Sequence, residues 1–288
     1  MAANLISGNA LATEIREELG RDVESFVRQT GVRPGLTAVL VGENPASQVY
    51  VRNKRKACQA VGIKDQLIEL PSSVSQREVI DLIDSLNTAS GVHGILVQLP
   101  LPSGIDSEAI LDRILPIKDV DGFHAENLGL LASGRPRFIP CTPYGVREML
   151  VRSGIETRAK HAVVIGRSNI VGRPMALLLL QKGRGGDATV TVAHSATKDL
   201  PKVAREAEIL IVAAGQPEIV KADWVKPGAV VIDVGIHRRS DGSLCGDVSP
   251  EVAEVASWLS PVPGGVGPMT VTMLLFNTLL AAKLQLAH

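Results

Sequence analysis

The sequence predicts an α/β protein with two domains, each built around a largely parallel sheet. Short aliphatic runs alternate along the chain with longer amphipathic runs, and this alternation is typical of parallel strands connected by helices. The aliphatic runs are continuous rather than interleaved with polar residues, as expected for strands that are covered on both faces. The length of 288 residues corresponds to two domains at roughly 150 residues each.

The predicted strands form two groups along the chain. In sequence order they are residues 36–42, 66–70 and 92–101, followed by 161–166, 188–194, 208–215 and 229–235. Between the groups, Thr142 is a suitable N-cap for a helix that has Pro143 at its first position, so we place the domain boundary near residue 141. The last helical run begins at Met269, and its pattern alone does not decide which domain it packs on.

Composition and charge exclude several classes of protein. Thirty basic and thirty acidic residues give a net charge of zero, so there is no general attraction to nucleic acid or to an anionic membrane. Three widely spaced cysteines predict an intracellular protein without disulfides. The uncharged run 269–282 is shorter than the roughly 20 residues that cross a bilayer, so we expect a soluble protein. The histidines show no ligand spacing, and we expect no metal site.

A strand-to-helix turn in the second half is a candidate dinucleotide site. The predicted strand 161–166 ends at Gly166, and a helical pattern begins near Gly172. Dinucleotide-binding folds place the cofactor diphosphate at such a turn, against backbone amides and the helix N-terminus. Ser168 replaces the usual middle glycine, so the motif alone is evenly balanced between this site and a simple tight turn. The surrounding series of strands favours the cofactor.

The charges near this turn favour NADP over NAD. Enzymes that use NAD place an acidic residue at the end of the second strand, where it accepts hydrogen bonds from the ribose. Here that strand ends in His194 and Ser195, and Arg167 in the turn is available for a 2′-phosphate. The alternative is that Arg167 is an ordinary solvated side chain.

One lysine of the first half is predicted to face the protein interior. On a helical wheel at about 100° per residue, Lys54 lies about 40° from Tyr50 and within the apolar arc, whereas Arg52, Arg55 and Lys56 lie outside that arc. Partial burial would lower the lysine pKa and make it usable for proton transfer. The alternative is a snorkelling lysine whose stem covers the core.

Polar residues near the end of the third predicted strand complete this candidate site. Gln98 lies near the carboxyl end of an otherwise apolar strand and needs a partner, which Lys54 or a polar substrate would supply. The loop KDVDG then places Asp119 and Asp121 close together. These carboxylates either close a turn or accept hydrogen bonds from a ligand.

Six segments together resemble a known family. In sequence order they are YVRNK (50–54), VQLPLP (97–102), KDVDG (118–122), PCTPYG (140–145), GRSNIVGRP (166–174) and PVPGGVGPMT (261–270). They are similar, over essentially the whole chain, to the bifunctional methylenetetrahydrofolate dehydrogenase/methenyltetrahydrofolate cyclohydrolases. The resemblance implies a folate-binding catalytic domain of residues 1–140 with the final helix 268–288. It also implies a Rossmann-type NADP-binding domain of residues 141–267 that faces the first across a cleft, and a cytoplasmic homodimer formed through the cofactor domains.

The same resemblance implies an activity and a role for individual residues. The enzyme would oxidise 5,10-methylenetetrahydrofolate with NADP⁺ to the methenyl cation and hydrolyse that cation to 10-formyltetrahydrofolate. Lys54 matches the catalytic lysine, Tyr50 a ring that stacks on the pterin, Gln98 the residue that holds the lysine, and Asp121 the carboxylate that binds the pterin edge. The remaining implied contacts are Val97, Leu99, Pro263, Gly264 and Gly265 for the folate, and Gly166, Arg167, Ser168, Ser195 and Ile236 for the cofactor.

Two other functions are weighed against this one. Another NADP-dependent dehydrogenase with the same layout, such as a shikimate or amino-acid type, would contain the Tyr50, Lys54, Gln98 and Asp121 set only by coincidence. A non-catalytic NADP-binding sensor would have no reason to bury Lys54.

Overall fold

The computed structural model describes residues 2–287 and contains two compact units. The first unit comprises Glu14–Cys141 and the residues from Val271 onward. The second unit comprises the residues up to Thr13 and Thr142–Thr270. Both units have an α/β architecture, as the alternation of aliphatic and amphipathic runs predicts.

The described elements are eleven strands and nine α-helices, with two short 3₁₀ helices in the second unit. The strands are β1 (Asn4–Leu5), β2 (Gly35–Val41), β3 (Lys64–Leu70), β4 (Gly94–Val97), β5 (His161–Ile165), β6 (Thr189–Ala193), β7 (Ile209–Val212), β8 (Val230–Asp233), β9 (His237–Arg238), β10 (Leu244–Cys245) and β11 (Trp258–Leu259). The helices are α1 (Gly8–Thr30), α2 (Pro45–Val61), α3 (Gln76–Thr88), α4 (Ser107–Leu111), α5 (Ala125–Ala132), α6 (Cys141–Arg152), α7 (Gly172–Leu180), α8 (Leu200–Arg205) and α9 (Val266–Leu286).

The first unit is built on a parallel three-stranded sheet in the order β3-β2-β4. The central strand β2 is buried along its whole length, which explains its uninterrupted apolar sequence. Val39 and Val41 of this strand share a core with Val79 and Ile83 of α3. Helix α3 begins at a capping box in which Ser75 and Glu78 bond each other's backbone amides. This packing fixes the position of the sheet, and with it the ends of β2 and β4.

The second unit contains a parallel six-stranded sheet in the order β1-β11-β8-β7-β5-β6 and a short antiparallel hairpin of β9 and β10. After β5 the chain forms β6 on one side of β5 and then β7 on the other side. The strand order therefore reverses at β5. In open α/β sheets, ligands bind at the carboxyl ends of the strands beside such a reversal.

The seven predicted strands are confirmed, but the first residues of the chain differ from the expected division. They were assigned to the first domain, whereas β1 pairs with β11 of the second unit. The backbone amides of Asn4 and Ile6 donate to the carbonyls of Ser257 and Leu259 at 2.8 and 3.0 Å. A two-residue strand carries no detectable periodicity, so this pairing leaves no signal in the sequence.

The expected N-cap at Thr142 is wrong, because helix α6 already begins at Cys141. Thr142 therefore lies within the first turn of the helix, and Pro143 follows it there. The Thr142 hydroxyl instead shares a hydrogen bond of 3.0 Å with the hydroxyl of Thr270.

The final helix is longer than the apolar run 269–282 suggests. Helix α9 has 21 residues and is long and apolar enough to cross a membrane, but 61% of its most apolar stretch is buried inside the protein. Its side chains also bond backbone carbonyls of the first unit, as in the 2.8 Å contact from Gln285 Nε2 to His93 O. Helix α9 is therefore buried and bonded as a core helix is, and this explains its apolar composition.

Candidate active site

Lys54 faces the interior of the first unit, as the helical wheel predicts. Its side chain lies on α2, and the residue is only 9% exposed. The amine Nζ donates a hydrogen bond of 3.1 Å to Oε1 of Gln98, which follows β4 directly. The Gln98 amide is itself oriented, because its Nε2 donates to the carbonyl of Leu99 at 2.7 Å. The structure therefore confirms that Lys54 is buried and that Gln98 is its partner.

The other charged residues of α2 lie outside this arrangement. Arg52 and Lys56 are exposed, as predicted. Arg55 is only half-buried, since its Nε lies 2.6 Å from Oδ2 of Asp65 on β3. Tyr50 is half-buried one turn before Lys54, and burial raises the pKa of its hydroxyl. Lys54 is thus the cation of this helix that faces Gln98.

Asp119 holds the loop between α4 and α5 in a fixed conformation. One carboxylate oxygen accepts hydrogen bonds from the amides of Gly122 and Phe123, both at 3.2 Å. The other accepts from the amide of His124 at 2.9 Å and from Nδ2 of Asn127 at 2.8 Å. Asp119 is almost fully buried, and its four donors use the acceptor capacity of the carboxylate. Of the two aspartates in this loop, it is the one that closes the turn.

Asp121 has a different environment from its neighbour. It is half-buried and lies beside the Cys141 thiol, which donates to the carbonyl of Val120 at 3.4 Å, and Lys54 and Asp119 interact with it electrostatically. Burial raises the pKa of Asp121 to about 6, and the negative charge of Asp119 adds to this rise, while Lys54 and Cys141 oppose it. The structure therefore places Gln98 in contact with the Lys54 amine and Asp121 within its electrostatic reach.

Asn277 of α9 supports this loop and was not identified from the sequence. Its Nδ2 donates to the carbonyls of Val120 and Ile139 at 2.8 and 2.9 Å. The same nitrogen lies 3.7 Å from the sulfur of Cys141. Asn277 thereby fixes the backbone on either side of the Asp121–Cys141 contact. An asparagine within the apolar run 269–282 is the sequence signal that marks it.

The candidate cofactor turn depends on two glycines. The amide of Gly166 donates to the carbonyl of Ala193 at 2.8 Å, which ties the turn to the end of β6. Gly166 has a φ of +121°, and a Cβ added there would lie 2.2 Å from the carbonyl oxygen of Ala213. A Cβ at Gly172 would lie 2.2 Å from the carbonyl oxygen of Gly166. Only glycine permits this close approach of three backbone segments.

Ser168 closes the turn from within. Its hydroxyl oxygen accepts hydrogen bonds from the amides of Val171 and Gly172 at 3.2 and 3.4 Å. Two of the amides expected to face a ligand are therefore occupied by this side chain. Arg167 and Ser168 remain exposed on the outer side of the turn.

The other predicted cofactor residues lie at the same sheet edge. Ser195 is exposed just beyond β6, which runs parallel to β5. Ile236 follows β8 and is 44% exposed, an unusual position for a large aliphatic side chain in a loop. Because parallel strands end at one edge, Ser195 and Ile236 lie on the carboxyl side of the six-stranded sheet, as do the turn residues 166–168.

The glycine loop before α9 belongs to the second unit. The carbonyl of Gly264 accepts a hydrogen bond of 3.0 Å from the amide of Asn9. A Cβ at Gly8 would lie 1.7 Å from the carbonyl oxygen of Gly265, so the loop packs directly on the start of α1. Pro263, Gly264 and Gly265 are thus placed by the amino-terminal segment of the chain. Val97 and Leu99 lie in the first unit, on either side of Gln98.

Metal ligands and disulfides are not found among the described residues 2–287. No group of three or more His, Cys, Asp or Glu side chains there could hold a metal ion. The three cysteines are free and buried.

Two family models match the chain, one for each half. The catalytic domain of tetrahydrofolate dehydrogenase/cyclohydrolase matches residues 6–121, and the NAD(P)-binding domain of the same family matches residues 140–286. The chain belongs to the tetrahydrofolate dehydrogenase/cyclohydrolase family.

Relatives of this family agree over nearly the full length. The chain is 56% identical over 283 residues to bifunctional protein FolD 1 of Hydrogenovibrio crunogenus, covering 98% of each chain. The solved structure of the bifunctional FolD dehydrogenase/cyclohydrolase of Campylobacter jejuni is 48% identical with a TM-score of 0.94, covering 99% of this chain and 100% of that one. The Trypanosoma brucei enzyme, solved with NADP and an inhibitor, is 43% identical with a TM-score of 0.94 and full coverage of both chains.

This membership confirms the predicted class of protein. The chain is a bifunctional dehydrogenase/cyclohydrolase of the tetrahydrofolate family, with a catalytic domain and an NAD(P)-binding domain. The glycine turn at the carboxyl edge of the six-stranded sheet lies within the matched NAD(P)-binding domain, and the Lys54 site lies within the matched catalytic domain.

Proposed function

We propose that this enzyme oxidises 5,10-methylenetetrahydrofolate with NADP⁺ to 5,10-methenyltetrahydrofolate and then hydrolyses the methenyl cation to 10-formyltetrahydrofolate. The observation that carries this proposal is the buried amine of Lys54, held by Gln98 at 3.1 Å with Asp121 nearby. A dehydrogenase of another substrate class, or a protein that only binds NADP, would have no use for this arrangement.

The first step requires positioning more than acid–base catalysis. NADP⁺ supplies the acceptor for the hydride that leaves the methylene carbon. No proton is transferred in that step, so the contribution of this chain is to hold the two reactants in a reactive orientation. Asp121 suits this task, because an ionised carboxylate accepts hydrogen bonds from the N–H groups of a pterin edge. The half-buried ring of Tyr50 offers a face on which the pterin can stack.

The second step requires proton transfer, and Lys54 is the group that performs it. Addition of water to the cationic methenyl carbon releases a proton, and the Lys54 amine is the proposed acceptor of that proton. Cleavage of the bond between that carbon and N5 then needs a proton on N5, which the charged amine donates. The hydroxyl proton of the adduct leaves to solvent as the formyl carbonyl forms. Gln98 holds the amine in place through both transfers.

The second unit offers groups that fit NADP. The turn from Gly166 to Gly172, whose glycines let its own backbone segments pack closely, lies at the start of α7, where a diphosphate can meet the helix N-terminus. Exposed Arg167 and Ser195 on adjacent strand ends supply a cation and a hydroxyl for a 2′-phosphate, and Ile236 supplies an apolar surface. Pro263, Gly264 and Gly265, with Val97 and Leu99 of the first unit, are the proposed further contacts of the folate.

The proposed assembly is a cytoplasmic homodimer formed through the cofactor-binding units. Strand β6 is an edge strand of the six-stranded sheet, and its Val192 is 40% exposed, which makes this edge a candidate surface for a second copy. The free, buried cysteines suit a reducing compartment.

The proposed dimer predicts a molecular mass. Light scattering at assay concentration should give about twice the 30.5 kDa mass of one chain. A mass equal to one chain would refute the dimer.

The role of Asp121 predicts a pH dependence. Because the pKa is raised to about 6, the carboxylate is ionised only above that pH, and kcat/KM for the folate should fall about tenfold per pH unit below it. Asp121→Ala should remove this limb and weaken folate binding, while NADPH affinity stays unchanged. Exposed Asp22 serves as the control, and Asp22→Ala should keep the wild-type profile. Wild-type folate affinity in the Asp121→Ala enzyme would contradict a folate-binding role for Asp121.

The role of Lys54 predicts that the two activities separate. Lys54→Met keeps the apolar stem but removes the amine, so the cyclohydrolase rate should fall by about 10²–10⁴. The dehydrogenase rate should fall less, so methenyltetrahydrofolate should accumulate. The absorbance of methenyltetrahydrofolate is recorded together with NADPH formation to measure this accumulation. The exposed lysine of the same helix is the control, and Lys56→Met should retain both rates. Near wild-type hydrolysis by Lys54→Met would contradict the mechanism.

The role of Arg167 predicts a change in cofactor preference. Loss of one charge-assisted contact to the 2′-phosphate should cost roughly 1.5–3 kcal/mol, so Arg167→Ala should weaken NADP binding about tenfold to a hundredfold. NAD binding should be nearly unaffected, since NAD has no phosphate at that position. Titration of each cofactor into wild type, Arg167→Ala and the exposed control Arg184→Ala measures both affinities. An equal loss for the two cofactors would exclude this role.

A further inference from the structure

Asp247 connects two loops of the second unit through its carboxylate. The residue lies just beyond β10, and its side chain is completely buried. Oδ2 accepts hydrogen bonds from the amides of Ala214 and Gly215 at 2.7 and 3.0 Å. Oδ1 accepts from the amide of Gln216 at 3.0 Å and from Nε2 of His237 at 2.7 Å. A carboxylate has about four acceptor sites, and these four donors use them.

Both loops lie at the carboxyl edge of the six-stranded sheet. Residues 214–216 follow β7, and residues 234–237 follow β8, its parallel neighbour. The second loop carries Ile236, the exposed aliphatic residue proposed to contact the cofactor. Because one carboxylate bonds both loops, it fixes the distance between them at this edge.

A second buried carboxylate fixes the backbone that carries Asp247. Asp233, the last residue of β8, accepts hydrogen bonds from the amides of Asp247 at 2.9 Å and of Val248 and Gly235 at 3.0 Å. Burial raises the pKa of Asp233 to about 6, although these amides oppose the rise.

Glycine is required where these segments meet. A Cβ at Gly246 would lie 1.8 Å from Oδ2 of Asp233, and a Cβ at Gly235 would lie 2.4 Å from Cγ of Asp247. The two carboxylates can therefore approach the backbone only because both positions lack a side chain. The two glycines therefore allow the segment after β10 to pack against the end of β8.

We propose that Asp247 is a positioning residue for the dehydrogenase step, which sets the loops 214–216 and 234–237 to receive the nicotinamide half of NADP. A dinucleotide lies across the point where the strand order reverses, with one half of the cofactor on each side. The turn after β5 is the proposed diphosphate site, and the loops after β7 and β8 lie on the opposite side of the reversal from β6. The inference rests on the proposed use of NADP.

The cyclohydrolase reaction provides an internal reference, because hydrolysis of methenyltetrahydrofolate uses no NADP. A defect confined to the cofactor loops should raise the Kd for NADPH and lower dehydrogenase kcat/KM but leave hydrolysis unchanged. A general loss of structure would lower both activities together.

The experiment compares four variants with the wild type. Asp247→Asn turns one acceptor oxygen into a donor that faces backbone amides, and His237→Leu removes one donor while leaving the buried carboxylate in place. His237→Gln retains an N–H group that can reach Oδ1. Asp223→Asn changes an exposed aspartate of the same unit and is the matched control.

The rates of both activities and two further properties are measured on each purified protein. NADPH fluorescence titration gives the cofactor Kd without turnover, and hydrogen exchange of the peptide that spans residues 210–217 reports the opening of the first loop. Asp247→Asn and His237→Leu should raise the Kd about tenfold or more, since each loses a charge-assisted hydrogen bond, and should speed exchange in this peptide. His237→Gln should recover most of the affinity, and hydrolysis should stay within about twofold of wild type.

The possible failures are distinguishable. Wild-type protein that binds no NADPH would overturn both the proposed function and this inference. Wild-type binding with an unchanged Kd in His237→Leu would overturn the positioning role alone, even if Asp247→Asn does not fold. An equal loss of hydrolysis and dehydrogenase activity in folded variants would likewise overturn it, because the effect would then extend beyond the cofactor loops.

Discussion

Three buried aspartates hold the loops that carry or flank the candidate site residues, and the candidate sites of both units depend on them. Asp119 in the first unit and Asp233 and Asp247 in the second each accept at least three hydrogen bonds from backbone amides. Burial of an ionised carboxylate costs several kcal/mol unless such bonds replace its water. The same bonds satisfy loop amides that have no partner in a regular sheet. Irregular backbone is thereby kept rigid where a ligand must be held.

The residues proposed for chemistry differ from these aspartates in how completely they are satisfied. Asp119 receives four donors, whereas Asp121, two residues later, lies beside the Cys141 thiol and in the field of Lys54. The partner of Lys54 is the neutral amide of Gln98. This amide fixes the position of the Lys54 nitrogen by a hydrogen bond of 3.1 Å. The pairing therefore suits a group proposed to move a proton from a fixed position.

The sequence predicted the strands and helices of this molecule, and it predicted the inward orientation of Lys54, which follows from a helical repeat. Continuous aliphatic runs identified the seven principal strands, and the 3.6-residue repeat of α2 placed Lys54 on the inner face. Contacts to backbone amides left no such signal, because every residue except proline carries an amide. The donors that meet Asp247 lie 31–33 residues before it, and nothing in those residue types distinguishes them. The different roles of Asp119 and Asp121 were hidden for the same reason.

The two reactions place different physical demands on the chain, and the residues that meet them are separated along it. Hydride transfer is sensitive to orientation, so it depends on loop geometry, which Asp247 and the glycines around it determine in the second unit. Water addition is sensitive to the availability of a proton acceptor, the role proposed for a single side chain, Lys54, in the first unit. Displacement of a loop alters orientation without changing the basicity of an amine, and loss of an amine leaves the loops in place. One chain can therefore retain both activities while each varies independently through substitutions in a different unit.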